Sequence, residues 1–573
     1  MKIFNLKKSV MIFGTIACLF VTQSCKDVLK EDVISNIGND YLNTPAGFEG
    51  AVNAAYSTLR AYYGSQQGLT MTEYGTDIYA TGADGGYKGF HFYDASLNPS
   101  VDWLASVWDE LYRGINTCNA VIDRSKTITG VTDAVKAQRV AECRALRGWY
   151  YYLLYMHWGA VDLRLTETLE PTKATTRSTD KAMMDAIIAD LEAALPALEA
   201  KKASGQYGRI TKPAAEHLLG YIYLTKNNIA SLKAATDLDK AVTYLSDVVN
   251  NTAYGFSLLP DFADVHKEGN EINNEIVWSV QYTTDPATNT DVVNNSGNTG
   301  GNNLHLFFGM QYDVQAGMQR DVFYGRPFKR LRPTQYLIQT AFADKTNDSR
   351  FRKSFRDTWL CNKPGTYSAF SLDNSKTGSI TYKTGDTTML IVGFEMTKEE
   401  RAKRPYQVIT PGFATTGGFF NEAIFYTLTK HFDTKRPDMT YTHGSRDHFI
   451  ARLADTKLLL AEAYLLKGDR VNALKEVNDV RKRAAFDASK QAAMIITDAQ
   501  LSMDFIIEER ARELCGEQIR WLDLKRWGKL VERVKLYNPQ AAPNIKDIHN
   551  LRPIPQAQID RSENKAFAQN PGY

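Results

Sequence analysis

The hydrophobic pattern near the C-terminal end of the chain is that of two amphipathic helices. In residues 504–529, apolar side chains recur three and four positions apart and so share one helix face. Gly516 interrupts the pattern, and Trp521 and Trp527 lie on the inner side of a second short helix. The charged residues between them are Glu508, Glu509, Arg510, Arg512, Glu513, Glu517, Arg520, Asp523, Lys525 and Arg526. Because an exposed pair of opposite charges stabilises a helix by only about 0.2–0.5 kcal/mol, we expect a solvated charged face.

Three helices are predicted in the N-terminal half, separated by one long loop. Thr44 and Pro45 open the first as N-cap and first-turn proline. The other two cover residues 103–122 and the strongly aromatic residues 142–158. Residues 64–100 have no helical period and are rich in Gly, Tyr and Asp. Long loops of this kind are functional or disordered, and the many aromatic residues argue against disorder.

Helix pairs recur in the manner of tetratricopeptide repeats. In residues 455–485, small and large residues alternate where the two helices of such a pair interlock, and Lys467, Gly468 and Asp469 form the turn. A second pair fits around Gly220 with a longer connection between its helices. Its interlocking residues are Leu219, Gly220, Tyr223, Ala241, Leu245 and Val248. Residues 183–198 and 504–529 supply further helices, since such pairs bury their apolar faces only by stacking.

The remaining segments are mostly irregular in pattern. Residues 283–303 are rich in Asn, Thr and Gly and predict a loop, and residues 307–359 carry many aromatic side chains without a regular period. Residues 360–447 predict loops with a few short strands. Residues 551–573 predict an extended tail, because the prolines near its start exclude helix there.

Residues 1–24 have the three parts of a secretory signal peptide. A basic start precedes an apolar run from Val10 to Val21, and Thr22-Gln23-Ser24-Cys25 is similar to a lipobox. The run is shorter than the roughly 20 residues that a transmembrane helix needs. Cys25 is therefore the predicted lipidation site, because cleavage before the rival Cys18 would cut the apolar run short. The alternative is an ordinary signal peptide with an incidental cysteine.

Composition excludes one class of function and favours another. Without the three leader lysines the chain has 65 basic and 65 acidic residues, which argues against nucleic-acid binding. The chain has 30 Tyr, 26 Phe and 8 Trp, and such side chains suit recognition surfaces as well as cores. The four other cysteines show no metal-binding spacing, so we expect neither a metal site nor a disulfide. No cofactor fingerprint is present.

Catalytic motifs are also absent from the sequence. It contains no HExxH, GxSxG, P-loop or dinucleotide-binding fingerprint. Glu508 and Glu509 could act as acid and base in glycoside cleavage, but structural pairing within the charged helices is the simpler interpretation. We therefore predict that the protein is not an enzyme.

Three sequence signatures together resemble one family. They are ERxREL…E…RWxDLKRWG in residues 509–528, WDELYRGINTCNAVID in residues 108–123, and LRPIP…QNPGY at the C-terminal end. With the lipoprotein leader, they make the chain similar to the SusD/RagB family of outer-membrane nutrient-binding lipoproteins of Bacteroidetes. Lys26 and Asp27 after Cys25 resemble the export signal that directs such lipoproteins to the cell surface.

The resemblance implies a fold, partners and a location. The fold is mainly α, with tetratricopeptide-type helix pairs forming a right-handed scaffold, a large irregular ligand-binding region and a few short strands. The domains are the signal peptide 1–24 and a single SusD-like domain 25–573, with parts at about 25–230 and 270–573. Members cap a SusC-like TonB-dependent transporter at the outer membrane, facing the exterior, and help to import oligosaccharides. The alternatives are capture of peptides, as in RagB-like members, or a purely scaffolding role.

Ligand residues are poorly shared in this family, so the candidates come from the residue types in two loop regions, 74–93 and 307–359. The aromatic platform is predicted to be Tyr79, Tyr87, Phe90, Tyr312 and Tyr324, with Asp84, Asn303 and Arg326 as polar contacts. Aromatic planes pack on the apolar face of a sugar ring, and the polar groups bond its hydroxyls. The alternative is that most of these side chains fill the core beneath the loops.

Overall fold

The computed structural model describes residues 39–285, 288–289, 301–369, 372, 374–411, 421–564 and 567–573. The predicted leader, the lipidation site Cys25 and most of the predicted loop at 283–303 lie outside the described residues. Within the described part, no helix is both long enough and apolar enough to cross a membrane.

Helices are the main regular element of the described structure and make up about 46% of it. In the first half they are α1 (Asn39–Leu42), α2 (Pro45–Ser57), α3 (Gln66–Glu73), α4 (Gly89–Phe92), α5 (Asp102–Arg124), α6 (Asp133–Trp158), α7 (Asp180–Ala194), α8 (Lys212–Asn227), α9 (Asp237–Asn250) and α10 (Phe262–Val265). In the second half they are α11 (Leu304–Phe307), α12 (Arg350–Ser354), α13 (Lys398–Ala402), α14 (Leu453–Lys467), α15 (Arg470–Ala484), α16 (Gln491–Met494), α17 (Met503–Leu514), α18 (Arg520–Arg526), α19 (Leu530–Tyr537) and α20 (Gln556–Arg561). A π-helical turn covers Tyr336–Ala341.

Within the described residues, the strands are short and form five small separate sheets. They are β1 (Tyr79–Thr81), β2 (Ile276–Val280), β3 (Leu331–Pro333), β4 (Phe355–Arg356), β5 (Thr358–Leu360), β6 (Gly365–Ser368), β7 (Ser379–Tyr382), β8 (Thr387–Ile391), β9 (Gln407–Ile409), β10 (Thr427–Leu428) and β11 (His448–Arg452). The pairs β1–β3, β4–β10, β2–β11 and β6–β7 are antiparallel, and β8 pairs antiparallel with β5 and parallel with β9. The predicted mainly helical architecture with a few short strands is confirmed.

The N-terminal helices form where the sequence predicts them, with two corrections. The Thr44 hydroxyl accepts a hydrogen bond from the Gly47 N–H at 3.1 Å, so the predicted N-cap of α2 is confirmed. Helix α6 is longer than predicted and begins at Asp133. The predicted loop at 64–100 is partly wrong, because it contains α3 and α4. Ser65 starts α3 by accepting a hydrogen bond from the Gly68 N–H at 3.0 Å.

Two helix pairs are present as predicted. Helix α14 packs on α15, and α8 packs on α9. The interlocking residues of the α8–α9 pair are buried, and those of the α14–α15 pair are buried apart from Tyr464, which is partly buried. The turn between α14 and α15 depends on Gly468, whose φ of +84° lies in the left-handed region that favours glycine. These pairs therefore bury their apolar faces against each other and against neighbouring helices, as the repeat pattern requires.

Gly220 is the point of closest approach between α8 and α9. A Cβ atom built there would lie 2.3 Å from the Leu245 Cγ, which is too close for any contact. We expect Gly220→Ala to lower the free energy of unfolding by about 1–3 kcal/mol through overpacking. Urea denaturation measures this loss. The matched control is Gly50→Ala in α2, where nothing lies within 4 Å; it should raise stability by about 0.5–1 kcal/mol. An equal response of the two variants would contradict the proposed packing.

The C-terminal tail is extended only in part. Residues 551–555 are irregular, and Trp158 Nε1 donates to the Pro553 carbonyl at 2.9 Å, which fixes the tail to the end of α6. Helix α20 then begins after Pro555, so the prediction of a wholly extended tail is wrong. Proline is compatible with the start of a helix, because the N–H group that it lacks would have no partner within the helix at that position.

The prediction of a solvated charged face in residues 504–529 is wrong. Glu509, Glu513 and Arg510 of α17 are at most 1% exposed, and Asp523 and Arg526 of α18 are also buried. Each carboxylate is paired with arginines. The Arg526 guanidinium donates to both oxygens of Glu462 in α14, at 2.6 and 2.8 Å. These side chains connect helices to one another instead of facing solvent.

Glu513 lies at the centre of this buried ion-pair cluster. Its carboxylate accepts hydrogen bonds from Arg350, Arg452 and Arg483 at distances of 2.5 to 2.9 Å. Burial alone would raise the pKa of Glu513, but the three guanidinium groups outweigh it and lower that pKa to about 2. The arginines come from residues 350, 452 and 483, which lie far apart in the sequence, so the cluster ties distant parts of the chain together.

Candidate ligand-binding surface

The two loop regions named from the sequence are adjacent in the structure. Strand β1 of the first region pairs with β3 of the second, with Ala80 opposite Arg332. Beyond the strands, the Gly82 N–H donates to the Arg330 carbonyl at 2.8 Å, and the Asp84 N–H donates to the Lys329 carbonyl at 3.2 Å. Residues 82–88 and 326–330 therefore form one continuous patch of backbone.

Two of the predicted platform residues in the first region are buried. Tyr79 is fully buried, and its ring meets Phe308 edge-on with centroids 5.4 Å apart. Phe90 is 1% exposed and lies beneath the Arg552 guanidinium, 5.1 Å from its ring centroid. Neither ring can stack on an external ligand in this structure. Their assignment to the platform is wrong, because both fill the core below the loops.

The two predicted platform residues in the second region are also buried. Tyr312 is 2% exposed, and its hydroxyl donates to the Gly325 carbonyl. The Tyr324 hydroxyl donates to the Leu360 carbonyl at 3.1 Å, and Arg356 lies 4.6 Å from the Tyr324 ring centroid. Both rings therefore hold the irregular chain together and do not form the predicted platform.

Asn303 does not present its side chain at the surface either. The residue is buried just before α11, and its backbone N–H donates to the Gly64 carbonyl at 2.9 Å. Its predicted role as a polar ligand contact is not compatible with this burial.

The remaining predicted residues lie at the surface. Tyr87 is half-buried, with a φ of +57°, and it stacks on Trp103 with ring centroids 3.8 Å apart and planes at 30°. Partial burial and a hydrogen bond to the Asp102 carboxylate raise the pKa of Tyr87 to about 12. Asp84 is exposed, and its Oδ1 accepts from the Gly85 N–H at 2.8 Å. These side chains present an aromatic face flanked by carboxylates.

Arg326 lies on the second segment of the same patch. Its guanidinium carbon is 5.1 Å from the ring centroid of Phe328, and that of Arg330 is 4.8 Å from the same ring. Within the first segment, Lys88 donates from Nζ to the Gly82 carbonyl at 3.1 Å. We call this area the loop surface; it consists of Asp84, Tyr87, Lys88, Trp103, Arg326 and Phe328.

Sequence reasoning missed two aromatic residues that the structure exposes. Trp103 stacks on Tyr87, and its sequence did carry a signal, because it lies outside the apolar face that Leu104 and Trp108 define on α5. Phe323 is 58% exposed, with Arg356 5.0 Å from its ring centroid. Nothing in the spacing distinguishes Phe323 from its buried neighbour Tyr324.

The loop surface has the groups for ligand binding, and the carboxylate pair named from the sequence, Glu508 and Glu509, lies apart from it in α17. Aromatic faces can pack on the apolar face of a polyhydroxylated ligand, and the carboxylate and cationic groups can bond its hydroxyls. Burial by itself would raise the pKa of Glu509, but Arg350, Arg512 and Arg481 hold it well below its usual range. A carboxylate that stays ionised in this way cannot donate a proton as a general acid. Among the described residues, no group of three His, Cys, Asp or Glu side chains could hold a metal ion.

Two family models match the chain. Residues 274–573 match a model described as the SusD family. Residues 40–224 match a second one, described as "Starch-binding associating with outer membrane". Together they cover most of the residues that the structure describes.

Named relatives match along much or all of the chain. SusD-like protein P25 of Formosa agariphila is 24% identical over 593 aligned residues, which cover 100% of both chains. A SusD-like protein of Bacteroides ovatus is 24% identical and covers 74% of this chain and 65% of its own length.

Solved structures share the fold. A laminarin-binding SusD-like protein superposes with a TM-score of 0.67 at 22% identity, covering 92% of this chain and 100% of its own. Surface glycan-binding protein A from Bacteroides fluxus superposes with a TM-score of 0.63 at 19% identity, covering 92% of this chain and 100% of its own. The predicted SusD-like fold is confirmed by these superpositions.

Proposed function

This chain belongs to the SusD family, and we propose that it captures oligosaccharides at the outer membrane and delivers them to a SusC-like TonB-dependent transporter. SusD-like proteins bind carbohydrate and are not enzymes, in agreement with the predicted absence of catalysis. The description of the second family model, which names starch binding and the outer membrane, supports both the ligand class and the location.

The stacked pair of Tyr87 and Trp103 is the observation that carries the ligand class. Two half-buried aromatic rings in contact offer a rigid apolar face, which loses little conformational entropy when a sugar ring packs on it. Asp84 and Lys88 lie on the same turn and can accept from and donate to sugar hydroxyls. A flat aromatic face edged by such groups suits a pyranose ring better than an apolar peptide side chain.

The anchor and the orientation are part of the same proposal. Acylation of Cys25 would tether the protein to the outer membrane, and two or more acyl chains suffice for stable anchoring. The export signal at Lys26 and Asp27 supports an exterior orientation. Mass spectrometry of the N-terminal peptide tests the anchor. Recovery of that peptide without acyl groups on Cys25 would contradict the proposed anchor.

We expect Tyr87→Ala to weaken glycan binding about tenfold, or about 1.4 kcal/mol, because it removes one ring of the stacked aromatic pair. Isothermal titration against a panel of polysaccharides, including laminarin and starch, measures the affinity. Trp103→Ala should have an effect of similar size.

Tyr87→Phe is the matched control for that variant. It keeps the ring and loses only the hydrogen bond to Asp102, so binding should be retained. Tyr41→Ala removes another exposed tyrosine, at the N-terminal end of the described chain, and should leave binding unchanged. Full affinity in both Tyr87→Ala and Trp103→Ala would show that the ligand binds elsewhere.

Capture of peptides and a purely scaffolding role are the alternatives within the same fold. A panel of peptides in the same titrations distinguishes them from glycan capture. If the protein bound only peptides, peptide capture would replace glycan capture as its function. If it bound neither class, the scaffolding role would be favoured. A pull-down with a SusC-like transporter tests the partner independently of the ligand.

A further inference from the structure

A second cavity lies apart from the loop surface and shares no residue with it. Its volume is about 320 Å³, at the lower end of the range of small-molecule sites. It opens between the C-terminal end of α2, the turn at residues 205–209 and the end of β2. Its hydrogen-bonding side chains are Asn53, Ser57, Arg60, Gln206, Ser279 and Gln281. We call it the Arg60 cavity.

Arg60 brings an uncompensated positive charge to this cavity. Its guanidinium donates to two backbone carbonyls, those of Gln281 at 2.7 and 3.0 Å and of Thr288 at 2.5 Å. Its aliphatic and planar parts lie against Tyr282, with 5.0 Å between the guanidinium carbon and the ring centroid. No carboxylate of the described residues forms an ion pair with it. Three of its five N–H groups are used, so two remain for a ligand.

The other arginine of the cavity is neutralised. Arg209 donates to Glu142 at 2.8 Å and also bonds Glu49. Tyr56 donates a further hydrogen bond to Glu142 at 2.7 Å. Since these carboxylates lie outside the lining and are already paired, they do not cancel the charge of Arg60, and the cavity favours an anion.

Polar side chains line the rest of the cavity. Ser279 lines it from β2, but the residue is only 1% exposed and its Oγ lies beneath the surface, without a hydrogen-bond partner within the described chain. The amide groups of Gln206 and Gln281 and the hydroxyl of Ser57 add donors and acceptors around the same space.

We propose that the Arg60 cavity is a second binding site, which takes an acidic saccharide unit carrying a carboxylate or a sulfate. The two remaining N–H groups of Arg60 bond the anionic group as a charge-assisted pair. The ring hydroxyls bond Ser57 and Gln206. This site goes beyond the oligosaccharide capture proposed for the loop surface, because it selects for charge.

Titration of the purified protein with D-glucuronate, D-glucose 6-sulfate and D-glucose tests the proposal. The two acids are expected to bind at least tenfold more tightly than glucose. Added sodium chloride should weaken the binding of the acids. The two acids separate a carboxylate site from a sulfate site. Arg60→Gln should reduce the affinity for the acids at least tenfold, whereas Arg113→Gln, which removes an exposed arginine of α5, should not change it.

A second variant keeps the test decisive if Arg60→Gln is unstable. Ser57→Phe places a ring at the mouth of the cavity and leaves the hydrogen bonds of Arg60 intact, so it should abolish binding of the acids without changing the melting temperature. Tyr87→Ala should leave acid binding unchanged, which separates this site from the loop surface. Equal affinity for glucose and the acids, or undiminished acid binding in Ser57→Phe, would overturn the proposal.

Discussion

Replacing Arg452 by methionine is expected to lower the free energy of unfolding by about 3–5 kcal/mol, the largest stability effect among the variants considered. Arg452 is 1% exposed and donates to Glu513 at 2.6 Å, to Glu517 at 2.8 Å and to Glu275 at 3.2 Å. The variant leaves three buried carboxylates with fewer positive neighbours. The fall in the free energy of unfolding therefore measures the cost of mutual repulsion and poor solvation among the buried carboxylates. It does not measure the strength of one ion pair. Urea denaturation at pH 7 gives the value.

Lys181→Met is the matched control for this experiment. Lys181 also pairs with a carboxylate, that of Asp185, but both side chains are exposed and the pair lies along helix α7. Removing it should change the free energy of unfolding by no more than about 0.5 kcal/mol. If the two variants lost similar amounts, burial would not be what makes the Arg452 pairs matter.

The cluster around Arg452 also shows where sequence reasoning stops. Periodicity placed helices α17 and α18 correctly, because the period of 3.6 residues is a property of the local chain. It could not show that Glu509 and Glu513 are buried, because the arginines that make burial tolerable come from residues 350, 452 and 483. A charged residue beside an apolar helix face is expected to be exposed to solvent. It can be buried only when partners of opposite charge, here from distant parts of the chain, pair with it.

The aromatic candidates also show that local sequence pattern does not reveal which side chains are buried. Tyr79 and Tyr87 lie in one predicted loop, and no local pattern distinguishes them. Tyr79 is buried because β1 pairs with β3 and brings Phe308 onto its ring, whereas Tyr87 reaches the surface in a left-handed conformation beside Trp103. The sequence therefore identified the two regions that meet, while contacts between those regions decided which rings face solvent.

One buried and two partly buried histidines form a second set of groups whose protonation state depends on the fold. His448 stacks between Tyr63 and His431, at centroid distances of 5.2 and 6.3 Å, and His266 lies near the same small cavity. Burial lowers the pKa of His448 and of His266 to about 3 and that of His431 to about 4. Lys430 and Arg446 line the same cavity, as do Asp447 and Glu517. The histidines are consequently neutral in the folded protein at pH 7.

We expect His448→Phe to reduce the loss of stability on acidification. The pKa of His448 is depressed by folding, so the unfolded chain binds its proton first, and stability falls as the pH drops from about 6.5 towards 3. Between pH 8 and pH 5, this single group should cost the wild-type protein about 2 kcal/mol. The variant keeps an aromatic ring in the stack and has no proton to bind. Urea denaturation at both pH values measures the difference.

Comparing the wild-type protein with His448→Phe separates the effect of His448 on stability from that of groups whose pKa shifts have the opposite sign. Burial raises the pKa of Glu73 to about 8, so that carboxyl group contributes stability as the pH falls, and it does so equally in both proteins. At pH 8 His448 is neutral in both states, so the difference there reports packing alone. Since neither ring nitrogen of His448 has a partner among the described residues, phenylalanine should be at least as stable at that pH. A parallel fall of both proteins from pH 8 to pH 5 would mean that His448 is solvated and titrates normally, and the stack of rings would then be open to water.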